Sequence, residues 1–290
     1  MKFKLLLVLV LGIILAGGFY YWFGNFQLYN SFSNKIEDLK KNSFQDVVGE
    51  FAKQIFTPPP LVINTKANQS VLTKEKIIAY TNAQRYDNGN LFPLIENAVL
   101  SEAARAKAQD MFNKQYFEHI SPSGVTPGDL VESFGYQYIV TGENLIMGNF
   151  SDEKELVQHW MDSPGHRENI LNEKYKEIGV AIIKGNFEGK SVWIGVQEFG
   201  LSLSICAKPP DFLKNQIDAN TAQLDEIFLR LQQKLSELEA TEKKSKEYNQ
   251  RAQEYNNLVA EYNNLGDETK NLILQYNTEV NGFNACVQGN

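Results

Sequence analysis

Residues 178–200 read IGVAIIKGNFEGKSVWIGVQEFG. Two runs rich in β-branched residues, IGVAIIKG and SVWIGVQEFG, flank turn-forming residues around Asn186–Gly189, and this pattern predicts a β-hairpin. Segments of helical period come before it. They are Leu72–Gln84, the alanine-rich Leu100–Gln115 with Met111 and Phe112 inward, and Glu153–Asp162 with Leu156, Val157 and Trp160 on one face. Helices first and a hairpin last predict an α+β domain built on an antiparallel sheet, over residues 71–207.

Just ahead of the hairpin, residues 163–171 read SPGHRENIL. Ser163 suits a helix N-cap and Pro164 the first helical position, where a missing N–H is harmless. Ile170 and Leu171 then pack inward. Architecture does not require His166, and the chain has only three histidines, His119, His159 and His166. Other polar clusters lie close by in the chain. His119 sits in FEHISPSG, Glu143 and Asn144 in the glycine-flanked TGENLIMG, which reads as a loop, and Gln197 and Glu198 end the last strand. His119, Glu143, Asn144, His166 and Arg167 are the candidate cleft residues. Arg167 and Asn169 also serve to pin the turn to neighbouring loops. His159 reads as a partly exposed spectator beside Trp160, and Glu198 as a strand-end surface charge.

The ordered set NAQR (82–85), FEHISPSG, GENL, HWMDSPGHRENIL, KEIGVAI and VWIGVQEFG resembles the CAP superfamily, the SCP-like extracellular domain, in its bacterial branch. The resemblance covers about residues 71–203. It implies an α-β-α sandwich with a central antiparallel sheet and an open cleft that gathers histidines and acidic residues and can hold a divalent metal, often zinc. His119 matches the family's first cleft histidine and Glu143 its first glutamate. The place of the second glutamate is taken by Ser163 and that of the second histidine by Ile194, while His166 supplies a second imidazole from another segment. Two neutral imidazoles and a carboxylate, here His119, His166 and Glu143, make a sufficient protein shell for zinc with water as fourth ligand.

The N-terminus reads MKFKLLLVLVLGIILAGGFYYWFG, with Lys2 and Lys4 ahead of an uncharged run from Leu5 to Gly24. About 20 such residues span a bilayer, and Phe19–Phe23 form an aromatic belt. Residues 1–24 are therefore expected to be a transmembrane signal anchor, with a cleaved signal peptide and a secreted product as the alternative. In both cases the bulk of the protein lies outside the cytoplasm. Residues 25–70 read as a juxtamembrane amphipathic helix, from Asn34 to Phe56, followed by a Pro-rich linker, TPPPLVINTKANQS. A net charge of −7 provides no basic field for phosphates, which argues against nucleic acid as a partner. With only two cysteines, four-thiolate zinc sites are excluded.

From residue 208 the composition changes. Ile217, Leu224, Leu231 and Leu238 recur at heptad spacing, as do Tyr248, Tyr255 and Tyr262, with Tyr276 in phase. Residues 208–290 are expected to form a helical hairpin or coiled coil. This region is also a candidate surface for a protein partner or for self-association. Outside the cytosol Cys206 and Cys286 are expected to be paired. An intrachain bond needs the chain to travel out and back, with the reversal near residue 244 and Gly266 as a second break; an interchain bond in a dimer is the alternative. The functional expectation is a membrane-anchored module that binds a small, envelope-derived or protein ligand in its His/Glu cleft. A metal-dependent, peptidase-like hydrolase and a structural, oligomerising surface protein are the alternatives.

Overall fold

The structure is a computed structural model that describes residues 53–63 and 71–289. The anchor expected over 1–24 and most of the helix expected over 34–56 lie outside those residues. No helix among the described residues is long and apolar enough to cross a membrane. The chain divides into two compact units, Ala52–Cys206 and a second whose described part begins at Ala207.

In the first unit the predicted hairpin is present. β5 (Glu177–Phe187) and β6 (Lys190–Ser202) pair antiparallel, and Phe187 faces Lys190 across a two-residue turn. Glu188 and Gly189 both have positive φ, 50° and 80°, the backbone that matches the twist of a tight hairpin. Asn186 Oδ1 accepts from the Gly189 N–H at 2.9 Å, and Gln115 Oε1 from the Glu188 N–H at 2.7 Å, which offsets the strain at Glu188. On its other side β6 pairs antiparallel with β4 (Tyr138–Gly148), so β6 is central. Three short strands complete the sheet. β1 (Gln54–Phe56) and β2 (Leu61–Val62) lie parallel to β4, and β3 (Ile95–Glu96) lies parallel to β5.

Three corrections follow. TGENLIMG is strand, not loop. Nearly all of β4 is buried, as both faces are covered, so it lacks the alternation that marks a half-exposed strand. Its glycines are forced by packing, not by turns: a Cβ at Gly142 would lie 2.1 Å from the Tyr175 hydroxyl. The end of the expected juxtamembrane helix is strand β1. Finally, TPPPLV belongs to the sheet, which therefore begins before residue 71. Proline has no N–H for a ladder, but here it lies between two edge strands, where none is needed.

Helices cover both faces, as the α-β-α expectation requires. α1 (Lys74–Asp87), α4 (Glu153–Asp162) and α5 (Pro164–Leu171) bury Ile77, Leu156, Trp160 and Ile170 against Ile146, Val180 and Phe199. α2 (Ala98–Lys114) lays Ala104, Ala108 and Met111 on Leu145, Ala181 and Val196. Asn97 caps α2 by accepting from the Val99 and Leu100 N–H groups. α3 (Pro127–Ser133) starts at a reciprocal Thr126–Asp129 capping box. Each fully buried Leu, Ile or Phe in these layers contributes about 1.5–3 kcal/mol.

The second unit holds α6 (Asp211–Glu239) and α7 (Lys246–Gln288). Leu213 and Ile217, early in α6, pack on Ile273 and Tyr276, late in α7, so the helices are antiparallel. The reversal falls between Glu239 and Lys246, where the sequence places it, with Lys244 at φ 78° and the Ser245 hydroxyl accepting from the Tyr248 N–H. Gly266 makes no break, because α7 runs through it. Neither cysteine is free; Cys206 and Cys286 are both disulfide-bonded.

Candidate functional site

Strand geometry sends Glu143 and Asn144 to opposite faces of the sheet. Glu143 sits directly across from Glu198 of β6, and both are 0 % exposed. Two ionised carboxylates in that position would repel one another without water to screen them. Neither oxygen of Glu198 receives a donor from a neighbour. Burial first, then the charge and hydrogen bond of Glu143, push the Glu198 carboxyl well above the usual carboxylate range, against the pull of Lys107. The environment therefore favours the neutral form of Glu198 beside Glu143.

Glu143 Oε1 meets His119 Nδ1 at 2.6 Å. His119 Nε2 faces the carbonyl of Pro58, in the segment between β1 and β2. A carbonyl only accepts, so Nε2 carries a proton and donates it. Lys107 closes the group from α2. Its ammonium donates to the His119 carbonyl and lies 5.1 Å from the Tyr116 ring centroid. Burial lowers the Lys107 pKa, and the charge of Glu143 opposes that shift.

On the other face Asn144 Nδ2 donates to the His166 carbonyl at 3.2 Å and to Gln197 Oε1 at 3.1 Å, and Gln197 donates to Thr81 at 2.8 Å. Asn169 bridges Asn144 Oδ1 and the Phe56 carbonyl. Ser163 does not cap α5. Its hydroxyl pairs with His166 Nδ1 at 2.8 Å. Arg167 donates to Asn88 at 2.7 Å, which pins the turn to the end of α1. Arg85, of the NAQR stretch, is buried and clamps the carbonyls of Phe92, Ile170 and Asn172.

His119, Glu143 and Glu198 thus share one site. Asn144 and His166 lie in the adjoining network, and Arg167 and His159 stand outside. Among the described residues no group of three or more His, Cys, Asp or Glu is placed to hold a metal ion. Both His119 nitrogens are engaged, and His166 turns Nδ1 to Ser163. Among the described residues the expected His119–Glu143–His166 set is not gathered as a group of metal ligands. Two site residues escaped the sequence reading. Glu198 is fully buried, not a surface charge. Lys107 carried a visible signal, since it falls in helical phase with Ala103, Ala104, Ala108 and Met111 and so must point inward.

His166 is 1 % exposed. Burial first, then the charge of His119, push it down to about 4, with the Leu145 backbone pulling weakly the other way. A histidine depressed in the folded state stabilises above its unfolded value, and that contribution is lost as pH falls through the folded one. Between pH 7 and pH 4 the wild type should lose about 2–3 kcal/mol more than His166→Gln. Urea midpoints of both proteins at the two pH values check this.

Residues 78–199 match the family CAP, described as the cysteine-rich secretory protein family. The first unit is a CAP domain. Among curated proteins, "Uncharacterized protein YkwD" of Bacillus subtilis (strain 168) is 45% identical over 130 residues, 44% of this chain and 48% of the relative. "Uncharacterized membrane protein YlbC" of the same strain is 28% identical over 163 residues, 54% of this chain and 46% of the relative. The chain spans about half the length of these curated relatives. Two solved structures are similar to part of this chain. An outer surface protein from Borrelia burgdorferi has 23% identity and a TM-score of 0.40, covering 46% of this chain and 98% of that one. An extracellular SCP-domain protein from Bacillus anthracis str. Ames has 28% identity and a TM-score of 0.36, covering 46% and 45%.

Proposed function

We propose that this is an extracytoplasmic, membrane-anchored protein whose CAP domain binds a carbonyl-bearing ligand through His119 and does not turn it over. In this reading the 208–290 hairpin is a spacer or a partner surface. The anchored, extracytoplasmic placement is supported by the uncharged run from Leu5 to Gly24, by the secretory family and by a relative named a membrane protein. The observation that carries the binding reading is the orientation of His119. Glu143 holds one nitrogen, so the other N–H is aimed in advance at an acceptor, here the Pro58 carbonyl.

One observation favours the hydrolase reading: Ser163 Oγ and His166 Nδ1 are within hydrogen-bond reach, as a nucleophile and its base would be. However, a base pushed down to about 4 is poorly matched to neutral pH. The full-length protein should bind members of a panel of blocked peptides and acetylated sugars without cleaving them. His119→Ala should weaken that binding at least about tenfold, the scale of one charge-assisted hydrogen bond. Products detected by mass spectrometry and abolished by Ser163→Ala would overturn this reading in favour of hydrolysis.

A further inference from the structure

Residues 54–62 form a strap along the outer edge of β4. It runs parallel to β4 at Gln54–Phe56, opposite Val140–Gly142, and again at Leu61–Val62, opposite Ile146–Met147. Between these anchors, residues 57–60 face only residues 143–145, so the strap must bulge. The bulge is Thr-Pro-Pro-Pro, and its prolines give up no ladder N–H by leaving the edge. Pro58 is the strap's single buried residue, while Thr57 and Pro59 are exposed. Its carbonyl meets His119 Nε2. Its ring rests on Gly165, where even a Cβ would come within 2.7 Å. Asn169 donates to the Phe56 carbonyl at 3.2 Å, and the Ile63 N–H to the Met147 carbonyl at 2.8 Å. Of the flanking apolar side chains, Ile55 and Val62 are 42% and 50% exposed, while Phe56, Leu61 and Ile63 pack against the core.

Backbone pairing along a strand edge, with one inserted side chain giving specificity, is how extended peptides dock by strand addition. We infer that residues 54–62 are the ligand of the His119 site held in cis, and that the site takes an extended peptide with proline at the Pro58 position. This rests on the binding reading above. A tethered segment competes at an effective concentration on the order of millimolar. The intact protein therefore binds a free copy of the strap only at about that concentration, even when the site's own affinity is far tighter.

The test uses the full-length protein and the blocked, fluorescent peptide QIFTPPPLVI. Pro58→Asp places a carboxylate in the buried position of the proline ring against Gly165, with no cation to pair it, and should expel the strap. The variant should bind the peptide at least about tenfold more tightly than wild type, and adding His119→Ala should remove the gain. Equal affinity in wild type and variant, or binding indifferent to His119→Ala, overturns the inference. If Pro58→Asp fails to fold, hydrogen exchange on the wild type decides. About 10 mM peptide should speed exchange of the Ile63 amide severalfold while leaving the central amides of β6 unchanged; no change overturns the inference. Acetylated sugars or unrelated blocked peptides that bind through His119 while QIFTPPPLVI does not would sink this inference and leave the binding reading intact. Absence of any His119-dependent binding across the panel sinks both.

Discussion

Gly179→Ala should destabilise the CAP domain by more than about 4 kcal/mol and leave little soluble protein. A Cβ at Gly179 would lie 2.1 Å from the Leu100 carbonyl carbon and 2.2 Å from the Ser101 nitrogen. Both are backbone atoms of α2, so no side chain can swing aside. The whole helix would have to lift, which would pull Ala104, Ala108 and Met111 off the sheet. Inserting a methyl among side chains costs about 1–3 kcal/mol, because rotamers adjust. Here the obstacle is a helix backbone, which adjusts only as a body. Gly266→Ala is the control. Nothing lies within 4 Å of the Cβ it would add, and within α7 it should stabilise by up to about 1 kcal/mol. Soluble yield and urea unfolding followed by circular dichroism measure both. A loss below about 1 kcal/mol at Gly179 would mean that α2 does not sit this tightly on β5.

The second large effect is expected at Lys107. Lys107→Ala removes a buried ammonium that donates to the His119 carbonyl and truncates its packed stem, which together should cost about 2–5 kcal/mol. Lys107→Met keeps the stem and separates lost packing from lost charge. Glu198→Gln should cost less than about 1 kcal/mol at neutral pH, because burial favours the neutral form of Glu198 and a glutamine amide is neutral too. The sign with pH is opposite to that of His166. A carboxyl raised in the folded state stabilises below its unfolded value, near 4.5, and this is lost as pH rises toward the folded one. Wild type should therefore lose stability relative to Glu198→Gln between pH 4 and pH 8. If Glu198→Gln costs as much as Lys107→Ala at pH 7, Glu198 is a carboxylate at that pH.

How far the sequence discloses this molecule depends on which elements have an exposed side. The 178–200 hairpin is legible through its β-branched runs and its turn. Helix α4 is read with its bounds, 153–162, because one of its faces meets water. The reversal near residue 244 follows from the reach of two helical arms between two cysteines. β4 is illegible because it is buried on both sides and carries glycines that look like loop formers. β1 and β2, three and two residues long, are too short to show a period. His119 and Glu143 stand out as polar residues that a core does not need. Their partners do not, since Glu198 has the look of a surface charge until β4 is laid against β6, and Lys107 is one lysine among many.

The strap has a second consequence. The outer edge of a sheet invites another chain to add a strand, and edge pairing between copies is a common route into aggregates. Here the segments on either side of the bulge already occupy the β4 edge. Even when that edge is bared, the strap is a poor partner for a neighbouring copy, since its three consecutive prolines interrupt any continuous ladder. The segment that fills the site therefore also keeps the molecule from polymerising through it.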